Sequence, residues 1–247
     1  MFQLLLRVVD DILWPAVFIV FFWVLFFANE AYSLGLNRMG VQPHEIEGLL
    51  GILFMPFLHG DFSHLFSNTI PFLVAGSFIF HFYGRSSWSI FFAVWLFSGL
   101  GVWLFGAERS IHIGASGMVY GMVAFLLTTG FIRKNKNLTA VAFILVFLYG
   151  SMIWGLFPQY SWIHKMNISW EGHLFGTLTG IAMAFLYRHR GPEDDKDPFE
   201  EDEVMPQWWI DMENEKALQE EQQRLQRPRP TIFRIVYRPK DKDEETE

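Results

Sequence analysis

Six apolar stretches constrain this chain more than anything else in it. They fall at about residues 12–33, 64–83, 88–106, 116–132, 139–157 and 170–188. Crossing the ~30 Å hydrocarbon core of a bilayer takes roughly 20 apolar residues in a helix. Between the stretches stand polar or turn-forming breaks: "NRMGVQPHEIEG", "YGRSS", "GAERSIHIG", "RKNKN" and "PQYSWIHKMN". The expectation is an all-α membrane protein, a bundle of six transmembrane helices over residues 1–190, whose N-terminal span is retained because no small-residue cleavage site follows it.

Charge separates this body from the rest. The first 190 residues carry 10 Lys+Arg against 8 Asp+Glu, and residues 191–247 carry 9 against 18. The formal net charge of −7 is therefore an apolar body of +2 joined to a tail of −9. The tail reads as an acidic cytoplasmic segment with a helix at 207–226, "QWWIDMENEKALQEEQQRLQ". An acidic tail on an apolar body argues against a nucleic-acid partner; the bilayer is the expected one. Cysteine is absent, which excludes disulfides, thiolate metal sites and a cysteine nucleophile.

Basic residues give an orientation. With the N-terminus inside, the inner regions hold Arg7, Arg85, Arg133, Lys134, Lys136, Arg188 and Arg190; the outer loops hold Arg38, Arg109 and Lys165. This bias favours both termini in the cytoplasm. Spans 2, 4 and 6 then run inward, which places "HGDFSHLFSN" (59–68), "GASG" (114–117) and "SWEGHLFGTLTG" (169–180) in one layer near the outer face.

Polar groups are costly in hydrocarbon, so such a layer is a functional hypothesis by default. Ser116 opens a span of 17 residues, Ser116 to Ile132. At 1.5 Å per residue this is about 25 Å, short of the hydrocarbon thickness, so the serine would sit at the bottom of a dip that water fills. Capping or tight packing is the ordinary use of such a serine. His173 lies on span 6, where Gly172, Gly176 and Gly180 recur every fourth residue; Gly117 and Gly121 recur likewise on span 4. Small residues at this spacing let two helices close up, which would bring Ser116 and His173 together at equal depth. A neutral imidazole at about 3 Å could take the serine proton. His64 and Asn68, one turn apart, share a helix face and could donate hydrogen bonds to an oxyanion. His59 lies off that face and is expected to brace the outer loop. Tyr120 could hold the imidazole by ring contact. Glu171 points to another side of its helix, so no carboxylate completes a triad. His81, His112 and His164 read as ordinary side chains at span ends. No H-E-x-x-H, paired intramembrane aspartate or phosphate-binding loop is present, so neither a metal nor another cofactor is expected.

"HGDFSHLFSN", "GASG" followed by Tyr120, and "GHLFGTLTG" together resemble the rhomboid intramembrane serine proteases. The resemblance implies Ser116 as nucleophile, His173 as its base, His64 and Asn68 as oxyanion donors, and a compact bundle with a short central fourth span. It implies substrates that are membrane proteins, single-pass or polytopic, cut in or near a transmembrane helix at a bond after a small residue. By analogy the setting is a bacterial inner membrane, with the site open to the extracytoplasmic side. The first loop is shorter than the family's usual one and has Arg38 alone where a Trp-Arg pair is common. Phe80 stands where many members carry glutamate. The competing readings are a non-catalytic relative that captures client helices, and a small channel or transporter.

Overall fold

The computed structural model of the protein describes residues 2–148, 154–158, 169–191 and 207–226. There the chain forms helices α1 (Phe2–Tyr32), α2 (Gly48–Phe54), α3 (Phe62–Tyr83), α4 (Ser86–Phe105), α5 (Ser116–Ile132), α6 (Lys136–Leu148), α7 (Trp170–Leu186) and α8 (Gln207–Gln226). Short 3-10 turns occupy Leu36–Met39 and Met55–Phe57. Among the described residues no strand forms, and one antiparallel bridge joins Val41 to His112. The chain divides into two units, Met1–Asp195 and Lys196–Glu247. The second contains α8, whose side chains over residues 207–225 are exposed.

The helices do not all match the expected spans. Asp11–Tyr32, Phe62–Tyr83 and Ser86–Phe105 are long and apolar enough to cross a bilayer, with mean hydropathies of 2.2, 1.4 and 1.8. Helices α5 and α7 have 17 residues each and α6 has 13. Thus three of the six expected spans are full length among the described residues. The expected fifth span ran to residue 157, and residues 149–153 of it lie outside the described residues. Helix α1 begins well before residue 12, because "FQLLLRVVDD" contains neither glycine nor proline to stop it. The loop after α1 holds an unexpected helix. "GLLGILF" coils as α2 and Pro56 sits within the 3-10 turn that follows. Gly51 lets α2 lie directly on the backbone of Gly40 and Val41, where any Cβ would collide. Trp95 of α4 anchors α2 by donating Nε1–H to the Ile52 carbonyl at 2.8 Å.

Helix α5 is the hub and touches α3, α4, α6 and α7. It is apolar all round, as a helix surrounded by helices must be. Gly117, Met118, Val119, Gly121, Met122, Val123, Phe125 and Leu126 are all buried. Lipid tails are as apolar as leucine, so such a bundle associates through close van der Waals fit and interhelical hydrogen bonds. The α5–α7 seam shows that fit. A Cβ on Gly176 would overlap the Gly117 carbonyl, and one on Gly180 would overlap that of Gly121. Phe80, in the place of the family's glutamate, is buried edge-on to Trp88 at 5.0 Å. An aromatic cluster fills that position, where a carboxylate would need a partner.

Candidate active site

The site forms where α5 starts. Four loop contacts fix the approach to it. Val41 and His112 exchange backbone hydrogen bonds of 2.9 Å each way, Gly114 N–H donates to the Met55 carbonyl at 2.8 Å, and Ser110 N–H donates to Ala107. Gly114 then turns the chain into the helix with φ of 110°, a conformation that only glycine adopts without strain. A Cβ there would also fall 2.5 Å from His64 Nε2 and 3.8 Å from Asn68 Nδ2. Both side chains therefore face the turn that delivers Ser116. Ser116 is the first residue of α5, where the helix has unpaired N–H groups and its positive end.

His173 sits in the second turn of α7 and is 6% exposed. Its Nε2 lies 2.8 Å from Ser116 Oγ. Its Nδ1 lies 2.9 Å from the Gly155 carbonyl oxygen. A carbonyl can only accept, so the ring carries its proton on Nδ1. Nε2 is then bare and accepts the serine O–H. The Tyr120 ring stacks flat on the imidazole, with centroids 3.9 Å apart and planes within 5°. One nitrogen is thus bonded to the backbone, the other to the serine, and the ring face is covered.

Helix α3 presents His64 and Asn68. Asp61 caps it, its Oδ1 accepting the His64 N–H at 2.9 Å from an extended backbone. Asn68 is buried and donates one Nδ2 hydrogen to the His64 carbonyl at 3.0 Å. An amide carries two such hydrogens, so one remains.

The other histidines occupy different settings, and His112 alone differs from its sequence reading. His59 is buried, and packs through its ring against Phe22 at 5.4 Å and His64 at 5.1 Å. Burial, with His64 beside it, lowers its pKa to about 3. His81 pairs with Asp11 of α1, Nδ1 to Oδ2 at 2.7 Å. His112 is no span-end bystander: it is 8% exposed and both ring nitrogens are hydrogen-bonded to serines. Burial lowers its pKa to about 4. His164 lies outside the described residues. Glu171 is buried on α7.

Sequence reading missed Gly155, the group that orients His173. It acts through a backbone carbonyl, which no side-chain pattern advertises. A Cβ there would come 3.0 Å from His173 Nδ1 and would overlap the Tyr120 hydroxyl, so glycine is the residue that fits.

A bundle of apolar helices enclosing a partly buried serine–histidine pair at the head of its hub helix defines a polytopic membrane protein with a polar centre. The Rhomboid domain profile matches residues 47–190, more than half of the 247-residue chain, and the chain belongs to the rhomboid family. Membership and the long apolar helices make it an integral membrane protein. It is 35% identical over 176 residues to Uncharacterized protein Rv1337 of Mycobacterium tuberculosis, a match covering 68% of this chain and 72% of that protein. A Mycobacterium bovis protein, also named uncharacterized, matches to the same extent. Uncharacterized protein ML1171 of Mycobacterium leprae is 36% identical over 158 residues, 61% of each chain.

Proposed function

We propose that this protein is an intramembrane serine endopeptidase that cuts membrane proteins in or near their transmembrane helices. The observation that carries the proposal is the Ser116–His173 hydrogen bond of 2.8 Å, with the far side of the imidazole held by Gly155. Family membership supports it.

The steps follow from the proton positions. His173 Nε2 removes the Ser116 proton as Oγ attacks the scissile carbonyl, giving a tetrahedral oxyanion and an imidazolium. Asn68 Nδ2–H, the His64 ring and the backbone N–H groups at the α5 N-terminus would stabilise that charge, each lost donor costing on the order of 10²–10³ in rate. The imidazolium then protonates the leaving amine as the C–N bond breaks. Water, deprotonated by His173, releases the acyl group and restores the serine. A substrate helix must unwind locally first, because its carbonyls are bonded and shielded within the helix. Helix-weakening residues near the cut should therefore speed cleavage. The six-span topology belongs to this proposal and rests on the six apolar stretches; the cytoplasmic termini and outward-facing site belong to it too and rest on the distribution of basic residues.

Cleavage of a single-span substrate co-reconstituted in liposomes tests the reading. Wild type should cut, while Ser116→Ala and His173→Ala should each fall to background. Client capture without catalysis predicts substrate bound but intact with wild type. Ion or solute flux that survives Ser116→Ala would favour a channel. Cutting by either variant at the wild-type rate would overturn the assignment.

A further inference from the structure

A second histidine–serine pair lies beside the first. His112 stands four residues before Ser116, and Ser169 four residues before His173. His112 Nδ1 is 2.7 Å from Ser169 Oγ, and His112 Nε2 is 2.7 Å from Ser110 Oγ. The proton directions follow. Ser110 Oγ–H donates to the Ala107 carbonyl at 2.5 Å, which leaves its oxygen to accept. His112 Nε2–H donates to it, so Nδ1 is bare and accepts the Ser169 O–H. Burial keeps the ring neutral near pH 7, as this arrangement of one donor and one acceptor requires.

Each end of this link is tied to the site. The His112 backbone is pinned both ways to Val41, two residues before Gly114 makes its turn. Ser169 stands immediately before α7, and its carbonyl accepts the His173 N–H at 3.2 Å. Two cross-links of the same chemistry therefore join the same two chain segments, at 2.7 Å and 2.8 Å, with the histidine and serine exchanged.

We propose that His112 and Ser169 are a positioning pair: they clamp the first turn of α7 to the loop before α5, and so set the separation of Ser116 from His173. The glycine seam lets α7 lie close against α5 along the helix axes. The clamp fixes its register at the end where the chemistry occurs. His112 touches none of the reacting atoms, so it acts through placement.

This inference rests on the reading of Ser116 as nucleophile, and one experiment separates the two. Full-length protein in liposomes is measured for kcat, KM, melting temperature and the rate of Ser116 labelling by a fluorophosphonate. Ser169→Ala and His112→Ala should each lower kcat and labelling about tenfold, with KM within about twofold, because misplacing reacting atoms costs rate rather than affinity. The double variant should be no worse than either single one, since both remove one link. His112→Asn keeps an acceptor close to the Nδ1 position and should recover most of the rate. His112→Gln reaches the Ser110 side instead and should not. If His112→Ala does not fold, Ser169→Ala carries the test. Wild-type kcat and labelling in Ser169→Ala, or additive losses in the double variant, would overturn the clamp while leaving the protease reading intact. Wild type that labels nowhere, or elsewhere than Ser116, would overturn the protease reading, and the clamp with it.

Discussion

Replacing Gly176 with alanine should separate the serine from its base without touching either. The new Cβ would overlap the Gly117 carbonyl, and ordinary contact begins only near 3.4 Å. Both offending atoms belong to rigid backbone, so no side chain can rotate away and the helices must part by roughly 1 Å. Gly176 lies one turn beyond His173 on the same face of α7. If the shift carries through, the 2.8 Å hydrogen bond stretches to about 3.8 Å, beyond the ~3.2 Å reach of proton transfer. A misplacement of this size costs about 10² in rate, or near 2.7 kcal/mol. The assay is kcat for a reconstituted single-span substrate, with circular dichroism to show retained helix. Gly60→Ala is the matched control: its Cβ would meet only Ile113 Cδ1, at 3.8 Å, and cleavage should be unchanged. Wild-type kcat in Gly176→Ala would refute the idea that backbone approach at this seam sets the site. A Gly60→Ala loss as large as that of Gly176→Ala would show that any added methyl disables the protein.

Three further outcomes follow from the same geometry. Tyr120→Phe keeps the ring over His173 and should retain nearly full kcat, whereas Tyr120→Ala removes a stack worth about 0.5–1.5 kcal/mol and should lower kcat about two- to twelvefold; equal losses would assign the role to the hydroxyl instead. Gly155→Ala crowds both His173 Nδ1 and the Tyr120 hydroxyl and should reduce kcat by at least about tenfold with KM little changed, measured on the same substrate; full activity would mean the Gly155 carbonyl does not hold the ring. The folded pKa values of His112, about 4, and His59, about 3, lie below the ordinary 6.5, so below pH 6.5 the unfolded chain binds more protons and stability is lost as pH is lowered. The melting temperature in detergent should therefore drop from pH 6.5 downward, and His112→Asn should flatten that slope between pH 6.5 and 4; an unchanged slope would mean His112 does not titrate this way.

The sequence carried the helices wherever apolar length and glycine spacing spoke clearly. The four-residue glycine repeats of α5 and α7 located a seam where two helix backbones meet, because such close approach requires the absence of Cβ atoms. Ser116, His173, His64, Asn68 and Tyr120 were legible because helical spacing and depth place them in one layer, and the structure brings all five to the head of α5. What failed to show was work done by backbone and by loops. Gly155 acts through its carbonyl, and the loop that carries His112 is held by a bridge between residues 41 and 112 that no local periodicity encodes. Helix α2 was hidden because a run of seven residues between glycine and proline reads as a loop. Its stability comes from packing on α4, not from its own propensity.

Mass spectrometry of the wild-type protein after fluorophosphonate treatment bears most directly on the central claim, that His173 activates Ser116. A single phosphonyl adduct should appear on Ser116, and the His173→Ala protein should show almost none under the same conditions. An adduct on Ser63, Ser110 or Ser169 instead, or equal labelling of Ser116 with and without His173, would contradict it.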